Sequence, residues 1–380
     1  MNWRQALTGP SSLPDDGGCL VGRVQGPEGP CVVRVDGEDL IDLSRRYPTL
    51  SDLLNADDPM AAAAGDGPRL GGLTAALHDG QVLAPSDLSV IKASGVTFAA
   101  SMLERVIEAQ AGGEAERAEE IRHTVSGIIG DDLSRIVPGS PESRALKQAL
   151  IEKGIWSPYL EVGIGPDAEI FTKCPILAAV GSGQDVGIRP DSSWNNPEPE
   201  VVLAIRADGA VVGATLGNDV NLRDIEGRSA LLLGKAKDNT ASCALGPFIR
   251  LFDSTFGIDD VRSAVVSLQV EGEDGFTLQG ESPMSAISRD PLDLAGQTLD
   301  AHHGYPDGVL LFCGTMFAPT QDRDAPGMGF THHLGDIVTV ASPKLGTLVN
   351  RVNQTDAIPP WSFGVGDLMR NLAARNLLNG

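Results

Sequence analysis

Glu198-Pro-Glu-Val-Val-Leu-Ala-Ile-Arg-Ala-Asp-Gly-Ala-Val-Val-Gly-Ala-Thr-Leu-Gly-Asn-Asp219 reads as two apolar runs around Asp208-Gly209, a dipeptide that favours a tight two-residue hairpin turn. Pairing Ala207 with Ala210 fixes every cross-strand partner and sets Glu198 directly opposite Asp219. Glu200 lies two residues along the same strand and points to the same side. The other side carries Val201, Leu203, Ile205, Val212, Ala214 and Leu216, an unbroken apolar face. Gly213, Thr215 and Gly217 complete the carboxylate side and are expected to leave open space there. Like charges opposite one another destabilise a sheet, so three together call for a cation. Oxygen-only ligands select Mg²⁺, with Mn²⁺ or Ca²⁺ as alternatives, rather than zinc. Two readings compete with this one: a solvated acidic edge on an acidic protein, and a one-residue bulge that shifts the pairing.

The chain has 380 residues, 29 basic against 51 acidic, for a net charge of -22. That balance opposes partnership with nucleic acid or an anionic membrane, but leaves room for a small anionic substrate near a bound cation. There is no apolar run of membrane-spanning length and no secretory stretch at Met-Asn-Trp-Arg-Gln, so a cytoplasmic location is expected. The 5 cysteines are scattered without a Cys-x-x-Cys pair, which argues against a disulfide framework or a structural zinc site. Gly181 to Gly187 and Gly227 to Lys235 have the wrong spacing for nucleotide-binding loops.

Short strands are predicted from Leu20 to Leu43, followed by a Pro-, Gly- and Ala-rich linker with little regular structure from Asp57 to Gly72. A small N-terminal domain is placed at 1–85 and a main domain at 86–380. Helical spacing marks Phe98 to Gln110, Glu114 to Ile129 and Arg144 to Lys153, with a helical interlude at Asp224 to Gly234. Short β-rich runs dominate from Glu161 onward. The class is α+β and β-rich, without regular βαβ alternation. Two histidine pairs, His302-His303 and His332-His333, are poorly placed to chelate together on a strand and read as surface or lid residues.

Five motifs occur in an order that resembles the fumarylacetoacetate hydrolase family. They are Glu198-Pro-Glu200 with Asn218-Asp-Val-Asn-Leu-Arg-Asp224; Phe171-Thr-Lys-Cys-Pro175; Lys237 to Gly246-Pro247; Gly314-Thr315; and Gly335-Asp336 with Leu345 to Asn350. The resemblance implies a mixed β-roll catalytic domain with a small N-terminal α/β domain, in a homodimer or a dimer of dimers. It implies Mg²⁺ on Glu198, Glu200 and Asp219, the trio that the hairpin register selects. Hydrolases of the family carry a histidine where Thr97-Phe-Ala-Ala-Ser101-Met-Leu-Glu104 stands here. Serine cannot take up a proton near neutrality unaided, which puts water activation by this route in doubt.

Within the family the chain is most similar to dehydratases of 2-keto-3-deoxypentonates. The implied reaction removes water from 2-keto-3-deoxy-D-arabinonate, or the D-xylonate-derived keto acid, and gives 2-oxoglutarate semialdehyde. A cation holding the 2-keto acid would stabilise the enolate formed by proton loss at C3, and the enolate would expel the C4 hydroxyl. Lys237 is the candidate for proton transfer, on the expectation that desolvation beside a cation lowers its pKa. A carboxylate-paired structural lysine is the competing reading. Glu104 is the candidate acid for the leaving hydroxyl, or else an exposed helix residue paired with Arg105. Arg223, Lys173, Thr315 and Ser101 are candidates for holding substrate, with Arg223 alternatively a partner of Asp224. An acylpyruvate C–C hydrolase or decarboxylase, and a non-catalytic metal-binding scaffold, are the alternative functions.

Overall fold

The computed structural model describes residues 3–112, 114, 116–118, 121, 136–152, 156–317 and 319–378. Its central strands are β1 (Val90–Gly95), β2 (Glu169–Cys174), β3 (Pro199–Ile205), β4 (Val211–Asp219), β5 (Cys243–Leu251) and β6 (Val309–Phe312). In space they run β5-β4-β3-β6-β1-β2, with β6 and β1 parallel and the other neighbours antiparallel. Beyond β5 the sheet continues through Leu20–Gly26, Gly29–Asp36, Asp39–Asp42 and Arg69–Gly72. Leu20 and Val21 pair with Arg250 and Ile249, so the N-terminal strands share one sheet with the rest of the chain. A second sheet of five strands packs against the first: Thr277–Pro283, Val265–Glu271, Ile337–Ser342, Gly346–Gln354 and Asp185–Ile188. The α+β class holds. Among the described residues, no helix is long and apolar enough to cross a membrane.

Every residue of β3 is buried, which explains why it reads as a nearly continuous apolar run after its first two residues. Val201, Leu203, Ile205, Ala214 and Leu216 enter the core between the two sheets, with Val266, Leu268, Val338 and Leu348. The opposite face packs Val202, Ala204, Leu245 and Phe312 in one core with Leu50, Leu53 and Ala63 from N-terminal helices. The hairpin is thus a wall between two cores.

Near the carboxylates, the predicted register is observed: Pro199 pairs with Asn218 and Glu200 with Gly217, and so on to Ala204 with Gly213. The turn differs. Arg206, not Ala207, pairs with Ala210, closing a three-residue loop with Gly209 at φ 88. A bulge then pairs Ile205 with Val211 and leaves Val212 over. The two one-residue departures cancel, so the ends of the strands meet as the shorter turn would have made them meet. Val212 accordingly turns away from Val201 and Leu203 and joins the opposite core.

Two other expectations are corrected. Asp57 to Gly72 is structured, because residues that read as punctuation act as helix starters. Asp58 accepts from the Ala61 amide at 3.0 Å, Pro59 opens the helix Pro59–Ala63, and Arg69–Gly72 is a strand. Gly217 leaves no open space, since a Cβ there would lie 2.2 Å from the Phe312 ring. Three helices border the hairpin's open end: α1 (Ala99–Ala111), α2 (Arg223–Glu226) and α3 (Leu233–Lys237). Gly112 at φ 67 ends α1. A helix at Pro141–Glu152 matches the third predicted segment, whereas most of Glu114 to Ile129 lies outside the described residues.

Because Phe312 fills the space over Gly217, Gly217→Ala should overpack this wall and cost about 1–3 kcal/mol. Denaturant unfolding checks it, and adding Phe312→Leu should restore part of the loss.

Candidate metal centre

Glu198 precedes β3, Glu200 is its second residue and Asp219 ends β4, and one oxygen from each lies within 4.8 Å of the others. All three side chains are buried. Carboxylates so close cannot all stay ionised without positive charge nearby. Three cations approach two of them. Lys237, the last residue of α3, donates to Glu198 Oε2 and, at 3.0 Å, to Asp219 Oδ2. Lys173 on β2 lies 2.7 Å from Asp219 Oδ1, and its ammonium also reaches the Val220 carbonyl at 3.2 Å. Arg105 on α1 donates to Glu198 Oε1 at 2.6 Å.

Glu200 accepts the Gly314 amide at 2.6 Å and has no ion pair among the described residues. Burial first, and then the charges of Asp219 and Glu198, push its carboxyl well above the ordinary range. Asp219 moves the other way: burial raises it, but Lys173 and Lys237 outweigh burial and hold it low. The trio is therefore uneven, with Glu200 pushed toward its protonated form and Asp219 toward its carboxylate.

Ser101, Glu104, Arg223, Lys237 and Thr315 line one cavity with the three carboxylates. Lys173 does not line it; fully buried, it braces Asp219 from behind. The Ser101 hydroxyl donates to its own helix at Phe98 O, 2.9 Å away. Glu104 meets Arg223 at 3.3 Å, not Arg105. Arg223 also donates to Glu108 at 2.7 Å and to Pro319 O at 3.1 Å, and its guanidinium lies 4.2 Å from the Trp194 ring centroid. Asp224 is turned elsewhere, accepting from Ser192 Oγ and the Ser193 amide. Thr315 Oγ accepts from the Phe317 amide at 3.1 Å.

The three neighbouring carboxylates dominate the charge state of Lys237. Burial lowers its pKa, but Asp219, Glu198 and Glu226 together raise it further, so the group is held as an ammonium. His332 is also corrected: it is buried, with Nδ1 3.2 Å from Asp336 Oδ2, and burial keeps its imidazole below the usual value.

Arg105, Glu108, Glu169 and Glu226 line the cavity too and were not singled out in the sequence. For α1 the signal was present, since positions 101, 104, 105 and 108 fall on one helical face. Glu226 is buried on α2, and burial pushes its carboxyl up to about 7 against the pull of Arg105 and Lys237. The trio offers oxygen alone, with no imidazole or thiolate among its donors, a set that suits a hard divalent ion.

Residues 175–353 match the family model for the fumarylacetoacetate (FAA) hydrolase C-terminal domain. It is 30% identical over 186 residues to "2-dehydro-3-deoxy-D-arabinonate dehydratase" of Saccharolobus solfataricus, which covers 49% of this chain and 59% of that protein. It is 29% identical over 194 residues to "Probable 2-keto-3-deoxyxylonate dehydratase" of Haloferax volcanii, over 51% and 63% of the two chains. The chain therefore spans less than two thirds of the length of these curated relatives. Among solved structures, 2-keto-3-deoxy-D-arabinonate dehydratase complexed with magnesium and 2,5-dioxopentanoate has the same fold, with a TM-score of 0.61 and 21% identity over 88% of this chain and 99% of that one. A 5-carboxymethyl-2-hydroxymuconate delta-isomerase from Mycobacterium smegmatis is also similar, with a TM-score of 0.51 and 20% identity over 88% and 98%.

A divalent ion on this trio must displace the Glu200 proton. Below the raised Glu200 pKa the free site holds that proton, so affinity should rise about tenfold per pH unit and level off once the pH exceeds it. Calorimetric Mg²⁺ titration in buffers of different ionisation enthalpy should show a proton released on binding. Lys173→Met, which unbraces Asp219 without touching the cavity, should weaken Mg²⁺ binding about 10–100-fold.

Proposed function

We propose that the chain is a Mg²⁺-dependent hydro-lyase that dehydrates a 2-keto-3-deoxypentonate, the D-arabinonate or D-xylonate-derived acid, to 2-oxoglutarate semialdehyde. The observation that carries this reading is the buried trio Glu198, Glu200 and Asp219 opening into a cavity with no histidine among its described lining residues. Names of the curated relatives and the magnesium-bound neighbour support the same chemistry. Held by the trio, Mg²⁺ would supply Lewis-acid stabilisation of charge on the substrate's keto oxygen.

The surrounding residues take distinct parts. Lys173 fixes the orientation of Asp219 and lets the ligand face the cavity. Lys237, as an ammonium, adds positive charge where the enolate oxygen develops negative charge. Thr315 binds the substrate carboxylate through its hydroxyl and amide. Arg223 holds Glu104 and Glu108 in place. Elimination removes a proton from C3 and the hydroxyl from C4, leaving a C3–C4 double bond. Transfer of a proton from C5 to C3 then gives the C4–C5 enol, which becomes the aldehyde. Neither step needs hydrolytic water, in keeping with a serine at position 101.

Residues 1–85 form, in this proposal, a small unit that extends the sheet beyond β5 and contributes no described residue to the cavity. Exposed Leu231, Met369 and Leu378 favour self-association into a homodimer or a dimer of dimers.

With purified protein, 2-keto-3-deoxypentonate and Mg²⁺ should give a trappable semialdehyde, and EDTA should abolish its formation. Pyruvate release from an acylpyruvate instead would favour the hydrolase alternative. Absence of turnover with stoichiometric metal would favour the scaffold. Glu200→Gln should lose metal binding and turnover together; retained activity would reject the trio as the cation site.

A further inference from the structure

The elimination needs a group that can hold the C3 proton and later release one to the C4 oxygen. Lys237 is locked between Glu198 and Asp219, Glu104 faces Arg223, and the Ser101 hydroxyl is engaged by Phe98 O. Glu226 is in a different position. It is 4% exposed and lines the same cavity as the trio. Its Oε2 lies 2.9 Å from Arg105 Nη1. That nitrogen is directed instead along a 2.7 Å bond to Glu108, while Nη2 bonds Glu198. Glu226 Oε2 is consequently buried with no hydrogen-bond partner among the described residues. A buried carboxyl oxygen that has an ion pair but no aligned donor keeps unused hydrogen-bonding capacity and invites a partner from the ligand.

We propose that Glu226 is the acid–base residue of the elimination and carries one proton from C3 of the substrate to the departing C4 oxygen. This rests on the dehydratase reading above. The Glu226 carboxylate takes the C3 proton, and the C–H electron pair becomes the enolate. That pair forms the C3–C4 double bond as the C4–O bond breaks. The leaving oxygen takes the proton back from Glu226 and departs as water, returning the carboxylate. No other reactant is consumed. Arg105 and Glu108 on α1, Glu198 beside β3, Lys237 on α3 and Tyr159 are the charged and titratable groups that act on Glu226. Their balance with burial leaves both protonation states accessible near neutrality, as such a shuttle requires.

The test separates proton removal from dehydration. 2-Oxobutanoate has C3 hydrogens but no C4 hydroxyl, so its C3 exchange in D₂O, followed by NMR with the Mg²⁺-loaded protein, reads the first half alone. Wild type should exchange 2-oxobutanoate and dehydrate 2-keto-3-deoxypentonate. Glu226→Gln should lose both by at least about a hundredfold, with Mn²⁺ stoichiometry and thermal midpoint unchanged. Glu226→Asp should recover part of each. Wild-type exchange in Glu226→Gln would overturn the proposal, as would loss of exchange accompanied by loss of Mn²⁺ binding. A wild-type protein that exchanges C3 protons but never dehydrates the keto acid would instead reject the dehydratase reading on which the shuttle depends.

Discussion

Three carboxylates buried within hydrogen-bonding distance of a common point are the constraint to which the rest of this site answers. Their mutual repulsion is unaffordable in a low-dielectric wall unless cations or protons intervene. The chain answers from three directions. Lys237 arrives from α3, Lys173 from the neighbouring strand β2 and Arg105 from α1. Each makes contact with Glu198 or Asp219, and Glu200, without an ion pair among the described residues, is pushed toward its protonated form. A divalent ion would resolve the same repulsion more completely, because two positive charges replace one proton and share the oxygens. The metal preference and the unequal proton distribution are two consequences of one electrostatic problem.

That problem was visible in the sequence because a hairpin has so few ways to pair. Alternation fixes which side each residue faces, and the two apolar runs fix which side is core. Even a wrong turn did not spoil the outcome: the longer loop at Ala207–Gly209 was compensated by the bulge at Val212. Other errors share a different cause. Asp58 and Pro59 signal a break in the preceding structure, but the same residues start a helix, and composition cannot separate the two. Phe312 comes from a strand 95 residues beyond Gly217, so its ring over the glycine had no local signal. The carboxylates that act on Lys237 were hidden for a related reason. Burial can be guessed from apolar neighbours, whereas the three carboxylates that overrule it come from three elements.

Arg105 shows how far such long-range geometry reaches into function. Its neighbours in sequence say only that it belongs to a charged helix face. In the fold its guanidinium meets Glu108 on its own helix, Glu198 beside the hairpin and Glu226 on α2. Of these three contacts, two are aligned hydrogen bonds and the third is an ion pair without that alignment. Glu108 and Glu198 receive aligned bonds, and Glu226 is left with charge nearby but no donor aimed at it. The ion-paired oxygen without an aligned hydrogen bond therefore follows from how one arginine is shared.

The family match divides these elements in a way that bears on chemistry. Residues 175–353 include the trio, Lys237, Thr315 and Glu226, whereas α1 lies outside that range. A fold shared by a dehydratase and an isomerase cannot by itself fix the reaction. The cation ligands can remain the same while the groups that face them change. In this chain α1 places a serine whose hydroxyl is tied to its own backbone, and an arginine that anchors the far side of the trio. In the proposed elimination, Arg105 holds Glu198 and Glu108 with its aligned bonds and leaves Glu226 to carry the proton. On that proposal, reaction choice would follow from how α1 distributes its donors over a candidate cation centre built elsewhere.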